Sequence, residues 1–380
     1  MSSTSNKKVR IALVGLRFGG AFAPIYHAHP DVEYVAICDT NKELLDQYGE
    51  KFGFERRYTQ LEDILKSDEY DAVHLVTPIP SHGRQSVEVL RAGKHCACTV
   101  PMATSIEELR AIVAAQKESN RIYMMMETAV YTYQFLYARE MYRKGAFGRI
   151  QFLRGAHYQD MVNWPPYWKG LPPMHYATHA IAPLLALAGT RATKVHCIGS
   201  GIMEKELVQQ YGNPFPFESA VFQLDQEQLG AEVTRMLFQT ARPYMESFNV
   251  YGENATLEWQ MEDEPLVLFK TAALQGERGR KSDTIRVKAP SRPDLLPAEL
   301  AEHITHQAVL DPNNPHQSVL QGNGHHGSHP HLVHEFVRSI VEGRKPAIDA
   351  VTAANWTAAG ICAHESAMQG GREVIIPAFE

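Results

Sequence analysis

The feature that most constrains the fold is an apolar, β-type run at residues 9–14 that breaks into a glycine-rich turn at residues 15–20. A helix-like stretch follows, and a second apolar run at residues 34–38 ends in Asp39. A strand, a glycine turn, a helix and a second strand that ends in an acid form the arrangement that binds a dinucleotide. The segment therefore predicts a dinucleotide-binding domain at the start of the chain.

The residues of the turn have separate parts in this prediction. Glycines let backbone N–H groups approach a pyrophosphate, and the helix that follows adds unpaired N–H donors. Arg17 stands where the usual motif has its second glycine. A carboxylate at Asp39 accepts hydrogen bonds from ribose hydroxyls. The predicted cofactor contacts here are Gly15, Arg17, Phe18, Gly19, Gly20 and Asp39.

Strand-like and helix-like segments alternate over the first 127 residues, which predicts a parallel sheet with helices on both faces. Open sheets of this kind bind ligands at the carboxyl ends of their strands. A polar cluster at 77–82 follows the predicted strand at 71–76, and the segment at 101–104 follows the predicted strand at 95–100. We place the first domain at residues 1–127.

The pattern changes after residue 127. Long strand-like runs at 150–158, 192–198, 218–224, 231–239, 246–252 and 255–260 predict an α+β domain with a large, open, mainly antiparallel sheet. Residues 276–328 are predicted as long loops, and helices are predicted at 331–342 and 350–368. We place this domain at 128–380, with C-terminal helices that are able to pack on the first domain. Its open sheet is a candidate dimer face.

Composition and charge restrict the classes of partner and the compartment that are expected for this protein. The chain has 380 residues and a formal net charge of −6, which gives no basic footprint for nucleic acid or an anionic membrane. No apolar run is long enough to cross a bilayer. The first eight residues are polar and lack the core of an export signal. The five cysteines fit reduced, packed thiols, so a cytoplasmic protein is expected.

At this point the chain resembles the glucose-fructose oxidoreductase/inositol dehydrogenase (Gfo/Idh/MocA) family over nearly its whole length. The resemblance rests on the turn at 15–20 and Asp39, and on the segments at 77–82, 93–103, 168–169 and 179. It implies an NAD or NADP cofactor, a carbohydrate substrate and a homodimer or homotetramer. Asp39 favours NAD over NADP because a carboxylate repels a 2′-phosphate. The further cofactor residues that it implies are Thr77, Pro78, His82, Val100, Pro101, Glu127 and Trp168.

Two positions depart from the family pattern. Val100 replaces a lysine that assists hydride chemistry, and His175 replaces an aspartate. In places the chain is similar to the NAD-dependent glycosidase branch, which also tends to have valine before the proline and which shares the style of residues 124–131 and 176–179. Three functions follow: an NAD(H)-dependent oxidoreductase acting on a sugar or polyol hydroxyl, an NAD-retaining glycosidase or lyase, and a non-catalytic NAD-sensing protein.

Oxidation of an alcohol needs a base for the hydroxyl proton, and histidine is the default candidate. We predict His179, at the start of an apolar helix, as that base; the alternative is a capping or core histidine. His175 is a candidate to bind a hydroxyl or relay a proton. Glu127 with Tyr131 is a second proton-transfer candidate, or else a solvated helix-entry acid. Lys169 is a candidate for the cation missing at Val100, or for a phosphate or substrate contact.

Histidines crowd residues 325–334. His331 and His334 are spaced to share one helix face, which is compatible with a metal site. The alternative is a helix capped by Ser328 or His329 with Pro330 in its first turn. No metal is predicted.

Overall fold

The computed structural model describes residues 8–242, 244–261, 264–271, 279–304 and 322–380. Most of the polar N-terminal segment, and residues 276–278 and 305–321 of the predicted loops, lie outside the described residues. The chain divides into two compact units. The first contains residues 1–131, 291–354 and 379–380, and the second contains residues 132–290 and 355–378. The predicted division at residue 127 stays a prediction about where the functional domains meet.

Among its described residues the first unit has a sheet of six parallel strands in the order β3-β2-β1-β4-β5-β6. The strands are β1 (Val9–Val14), β2 (Val32–Cys38), β3 (Arg57–Tyr58), β4 (Ala72–Leu75), β5 (His95–Cys98) and β6 (Tyr123–Met125). The helices between them are α1 (Ala23–Ala28), α2 (Lys42–Phe52), α3 (Leu61–Lys66), α4 (His82–Arg91) and α5 (Ile106–Ser119). The order reverses between β1 and β4, and such a switch point opens a crevice at the strand ends.

The central strands of this sheet are apolar and fully covered, as expected when helices lie on both faces. Ile11, Ala12 and Leu13 of β1 have no exposed surface. The helices begin and end at conventional signals. Asn41 accepts a hydrogen bond from Leu44 N to cap α2, and Ser105 accepts one from Glu108 N to cap α5.

The second unit contains a nine-stranded sheet in the order β14-β13-β12-β11-β7-β10-β9-β8-β15, counted over the described residues. Among its described strands, β7 and β10 form the one parallel pair. The strands are β7 (Ile150–Tyr158), β8 (Ala192–Ser200), β9 (Phe217–Leu224), β10 (Gly230–Met236), β11 (Met245–Gly252), β12 (Ala255–Glu258), β13 (Leu266–Thr271), β14 (Ser282–Val287) and β15 (Val374–Ile375). Its helices are α6 (Tyr133–Arg143), α7 (Thr178–Ala188) and α8 (Lys205–Tyr211).

Helix α7 lies against the central strands β7, β10 and β11. Gly155 permits this close approach, because a Cβ there would lie 2.2 Å from the carbonyl oxygen of Ala180. Nearly every residue of α7 is buried. The predicted fold class, a parallel Rossmann sheet followed by a mainly antiparallel open sheet, is confirmed.

Three local predictions are wrong. Part of the predicted loop at 276–328 forms β14 and the short helix α9 (Ala298–Ala301). Helix α10 (Gly322–Glu342) begins well before the predicted residue 331, so Pro330 lies inside it. Strand β13 was not predicted at all. For β14 and the start of α10, tertiary pairing or packing overrides a polar local sequence, whereas β13 has an apolar sequence. Helix α11 (Ala350–Met368) matches the prediction. Among the described residues, the longest apolar helical stretch falls short of a membrane span.

Candidate active site

The glycine turn after β1 is shaped by close contact with the segment after β4. Gly15 has a φ of +93°, and a Cβ on it would lie 2.2 Å from the carbonyl oxygen of Val76. A Cβ on Gly20 would lie 1.9 Å from the hydroxyl oxygen of Tyr48. Both positions therefore require glycine. The turn continues through a 3-10 turn at Gly19–Ala21 into α1.

Asp39 ties the end of β2 to the glycine turn. Its Oδ2 atom accepts a hydrogen bond from Leu16 N at 2.7 Å, and its Oδ1 atom accepts one from Asn41 N at 2.8 Å. Each carboxylate oxygen keeps a second lone pair for another donor. A glycine cradle with an acid beside it fits an adenine dinucleotide, whose pyrophosphate lies on the turn and whose ribose hydroxyls meet the acid. Arg17 is exposed at this turn, and Phe18 is half-buried.

His82 joins the segments that follow β4 and β5. Its Nδ1 and Nε2 atoms lie 2.8 Å from the carbonyl oxygens of Pro101 and Thr77, respectively. Carbonyl oxygens only accept, so both ring nitrogens donate and the imidazole is protonated. Burial alone would lower the pKa of His82, but Cys98 and the two carbonyl oxygens outweigh it and raise the pKa to about 9. His82 therefore holds the two predicted cofactor-binding loops in place by hydrogen bonds to the backbone of Thr77 and Pro101.

The other predicted residues of the first unit lie near these strand ends. Thr77 donates a 2.5 Å hydrogen bond to Gln85 Oε1, and Pro78 is exposed. The peptide bond between Val100 and Pro101 is cis. Glu127 is fully buried and caps the 3-10 turn at Thr128–Val130 by accepting from Ala129 N at 2.9 Å. It is therefore not the solvated acid of the alternative interpretation.

In the second unit, four buried polar side chains form one row across four neighbouring strands. Glu246 pairs in register with His157, His157 with Arg235, and Arg235 with Glu218. Residues paired across a ladder point to the same face of the sheet. Each of the four is at most 1 % exposed. A charged row at core-facing positions is costly, which marks this face as a functional candidate.

His179 lies in the first turn of α7 above this row. Its Nε2 atom is 3.1 Å from the hydroxyl oxygen of Tyr176, and its Nδ1 atom is 3.7 Å from Glu246 Oε1. Tyr244 donates a 2.5 Å hydrogen bond to the same Glu246 oxygen. His179 is only 3 % exposed, whereas Tyr176 is half-buried. The phenol of Tyr176, the imidazole of His179 and the carboxylate of Glu246 thus form a chain that runs from the more accessible side into the core.

His175 lies one residue before Tyr176 and is held in a different environment. Burial, helped by His364 whose ring centroid is 5.0 Å away, lowers the pKa of His175 to about 3. His364 in turn binds Glu218 Oε1 through Nδ1 at 2.6 Å. Glu218 Oε2 accepts a hydrogen bond from Met174 N at 2.8 Å, which anchors the 3-10 turn at Pro173–Tyr176. A neutral His175 is suited to bind a hydroxyl and poorly suited to accept a proton at neutral pH.

The aromatic segment before this turn contains the two remaining candidates. The Trp168 ring contacts the Tyr176 ring edge-on at 4.9 Å between centroids, and it is buried. Its Nε1 atom has no hydrogen-bond partner among the described residues. Lys169 is exposed. The role of either residue at a cofactor or substrate stays a prediction.

The histidines at 325–334 pair with aromatic and imidazole rings of the first unit. His334 Nδ1 lies 3.0 Å from His29 Nε2, His331 stacks on Tyr131, and His329 contacts Phe18 edge-on. Within the described ranges no group of three metal-binding side chains converges. The rings of this cluster serve packing around the glycine turn and α1.

The predictions from sequence gave no role to Glu246, Arg235, Glu218, His157 or Tyr244. A signal for two of them, Arg235 and Glu246, was present. In a strand with alternating burial, an acid or arginine at a core-facing position breaks the pattern. Arg235 follows Ala231 and Val233 on the buried face of β10, and Glu246 precedes Phe248 and Val250 on that of β11.

The fold and the site define a Rossmann-type dinucleotide-binding protein with a second, open-sheet unit. Residues 9–127 match the model of an oxidoreductase family with an NAD-binding Rossmann fold, GFO_IDH_MocA. The first part of the chain is therefore similar to the NAD-binding domain of this oxidoreductase family, which agrees with the predicted resemblance and with NAD as the cofactor.

Relatives of this chain are named as glycosyl hydrolases. It is 22 % identical over 99 % of its length to a glycosyl hydrolase family 109 protein of Saccharopolyspora erythraea, of which 84 % is covered. It is 28 % identical over 53 % of its length to glycosyl hydrolase family 109 protein 1 of Phocaeicola vulgatus, of which 48 % is covered. The chain thus spans about half the length of several relatives that it matches.

A solved structure shares the whole architecture. A levoglucosan dehydrogenase in complex with NADH and levoglucosan superposes with a TM-score of 0.76 over 97 % of this chain and 100 % of that one, at 21 % identity. At this identity the likeness shows the fold alone.

Proposed function

We propose that this protein is an NAD(H)-dependent oxidoreductase that acts on a hydroxyl of a sugar, a sugar derivative or a polyol. The observation that carries the proposal is the chain of Tyr176, His179 and Glu246 in the second unit of a protein whose first unit matches an NAD-binding Rossmann domain. Alcohol oxidation needs a hydride acceptor and a proton acceptor, and these two features supply one each.

NAD⁺, when bound, accepts the hydride from the alcohol carbon. The proton steps belong to the chain's own residues. We assign the hydroxyl proton to the oxygen of Tyr176, the more accessible of the two groups, while the phenol gives its own proton to His179 Nε2. If Nε2 accepts, the neutral imidazole carries its proton on Nδ1, the nitrogen nearer Glu246. The carboxylate then stabilises the imidazolium that forms, as in other acid–histidine pairs.

His175 and Glu127 have supporting parts in this proposal. A neutral His175 binds a second substrate hydroxyl, which suits a polyhydroxylated ligand. Glu127, with Tyr131, remains a proposed partner of the nicotinamide amide or of a substrate hydroxyl. The proposed cofactor residues are the glycine turn, Asp39, the segments at 77–82 and 100–101, and Trp168. Lys169 is proposed as a substrate or phosphate contact.

A second candidate, the NAD-retaining glycosidase, is favoured by the family 109 relatives and by Val100. Such an enzyme oxidises a ring hydroxyl, eliminates the aglycone, adds water and returns the hydride to the sugar. Net NADH then does not accumulate.

One experiment separates the candidates. The purified protein is denatured and the released NAD is counted, and then the native protein is assayed with NAD⁺ and a panel of sugars, polyols and nitrophenyl glycosides. Exchangeable NAD with NADH formation from a sugar or polyol supports the oxidoreductase. Retained NAD with nitrophenol release and no NADH supports the glycosidase. Binding without any turnover supports the NAD-sensing alternative.

We also propose a cytoplasmic homodimer or homotetramer. All five cysteines are free and buried, which suits a reducing compartment. On the outer face of the second sheet, Ile198 and Val221 are 63 % and 54 % exposed, and an apolar face of this kind suits a contact between copies. Molecular mass by light scattering tests the proposal.

A further inference from the structure

Arg235 is a completely buried cation in the centre of the second sheet. It lies on β10 with 0 % of its surface exposed. Its Nε atom donates to the carbonyl oxygen of Tyr176 at 2.9 Å, and its Nη1 atom donates to that of His157 at 2.9 Å. Two further contacts join Nη1 to the Met236 carbonyl oxygen at 2.5 Å and Nη2 to Gln159 Oε1 at 3.4 Å.

These partners are all neutral oxygens. In the described part of the chain, no carboxylate forms an ion pair with Arg235 within 4.0 Å. Burial lowers the pKa of Arg235 to about 10, and the nearby Tyr176, Tyr244 and Glu246 oppose that effect. The guanidinium therefore keeps its charge at neutral pH. A charge held in the core without a direct counter-ion is expensive, and proteins keep such groups mostly at functional sites.

The charge lies under the face of the Tyr176 ring. The guanidinium carbon is 5.2 Å from the ring centroid, and the hydroxyl of the same ring is 3.1 Å from His179 Nε2. A cation beneath the ring of a phenol favours the deprotonated form, which carries a negative charge. Arg235 thus contacts Tyr176 twice, by a hydrogen bond to its backbone and by its charge under the ring.

We propose that Arg235 is the positioning cation of this site: it fixes Tyr176 and eases the loss of the phenol proton. This inference rests on the proposed function, because it takes Tyr176 as the group that receives the hydroxyl proton. The proton transfers are the same as in the proposed function. The substrate O–H bond breaks, the proton reaches Tyr176, and the phenol proton moves to His179 Nε2.

Other titratable groups face Arg235 and Tyr176 from the elements packed around them. They are His157 on β7, Glu218 on β9, Tyr244 and Glu246 on β11, and His179 on α7. Wild type and Arg235→Met both contain these groups, so a difference between their pH profiles is due to the removed cation.

The test compares Arg235→Met, Arg235→Lys and wild type by the pH dependence of kcat/KM, with Lys94→Met as control. Lys94 is also a buried cation bonded to carbonyl oxygens, those of Ser67 and Tyr70, but it lies in the first unit. We expect Arg235→Met to lower kcat roughly 10- to 100-fold with little change in KM. We expect the acidic limb of its kcat/KM profile to move up by about one pH unit or more, because removal of a nearby opposite charge raises the pKa of an acid by about this amount. In Arg235→Lys the acidic limb should move only slightly, because the positive charge is retained. In Lys94→Met it should stay at the wild-type pH.

An acidic limb that stays in place while kcat falls would overturn the proposal, since a merely structural arginine gives that result. A second measurement does not depend on the folding of Arg235→Met. The ultraviolet titration of wild-type tyrosines minus that of Tyr176→Phe gives the ionisation of Tyr176 alone. We expect Tyr176 to ionise below the usual value of about 10; ionisation at or above it overturns the proposal. If no sugar or polyol is turned over, the proposed function fails, and this titration still decides the role of Arg235.

Discussion

The Nδ1 atom of His82 and the carbonyl oxygen of Pro101 lie 2.8 Å apart in the core of the first unit. The other ring nitrogen donates to the carbonyl oxygen of Thr77. One protonated ring therefore connects the loops after β4 and β5, which are the loops predicted to contact the cofactor. A neutral imidazole would leave one of the two carbonyl oxygens facing a nitrogen lone pair.

This connection predicts a loss of stability at alkaline pH. The pKa of His82 is about 9 in the folded protein, above the unfolded value of about 6.5. Its contribution is fully present below about pH 6.5 and is lost as the pH rises through about 9. We expect up to about 3 kcal/mol from this group. The free energies of unfolding of wild type and His82→Gln should converge over this range, and a difference that stays constant with pH contradicts the assignment.

The pair of His29 and His334 predicts the opposite dependence. His29 Nδ1 accepts a hydrogen bond from Asp31 N, so its Nε2 carries the proton donated to His334 Nδ1. Both rings are then neutral. Burial, with His334 adding to it, lowers the pKa of His29 to about 4. The stability from this pair is present above about pH 6.5 and is lost as the pH falls through about 4.

Acid titration of stability tests this pair. Wild type should lose up to about 3 kcal/mol of unfolding free energy to this group by about pH 4, and His29→Gln should lose less over the same range. His27→Gln is the matched control, because His27 is an exposed histidine on α1, the short helix that ends just before His29. If both variants follow the wild-type curve, His29 does not limit acid stability.

Removal of the imidazole at His179 should cost activity without loss of fold. We expect His179→Ala to lower kcat/KM by about 10²–10⁴-fold, the range typical of general acid–base catalysis. His196→Ala is the control, since His196 lies exposed on the outer face of β8. Steady-state kinetics on the best substrate from the panel decide the matter. An unchanged rate in His179→Ala removes this residue from the mechanism.

The glycine turn should tolerate no side chain at Gly15. We expect Gly15→Ala to destabilise the protein by roughly 3 kcal/mol or more, through both positive φ and the backbone clash, and to weaken NADH binding. Gly93→Ala is the control: Gly93 has a φ of +72°, yet a Cβ on it meets nothing within 4 Å. That variant should lose only about 1 kcal/mol. Thermal unfolding and NADH fluorescence titration measure both effects, and equal losses would contradict the clash.

Periodic segments were the easiest part of the fold to predict. The alternation of apolar strands and amphipathic helices in residues 9–127 is encoded locally, because the central strands are buried on both faces and α2 and α5 have their own N-caps. Polar strands were the hardest part. β14 is exposed along most of its length, and its state follows from pairing with β13, the strand before it, rather than from its own polar sequence.

The candidate site divides in the same way. The glycine turn and Asp39 form within one βαβ unit of about thirty residues, so spacing alone identifies them. His179 was found because it begins an apolar helix. Its neighbours Glu246, Arg235 and His157 come from three different strands, and only strand register places them in one row.

By itself, the sequence determined the architecture and the cofactor class, because periodicity and turn chemistry act over short stretches of chain. The tertiary structure alone decided the charge environment of Tyr176 and His179. It buried Arg235 beneath the phenol, held Glu246 beside the imidazole and gave His82 two carbonyl partners. The physical reason is that protonation and hydrogen bonding depend on which groups meet in space and on how much water is excluded, and neither is a property of a local segment.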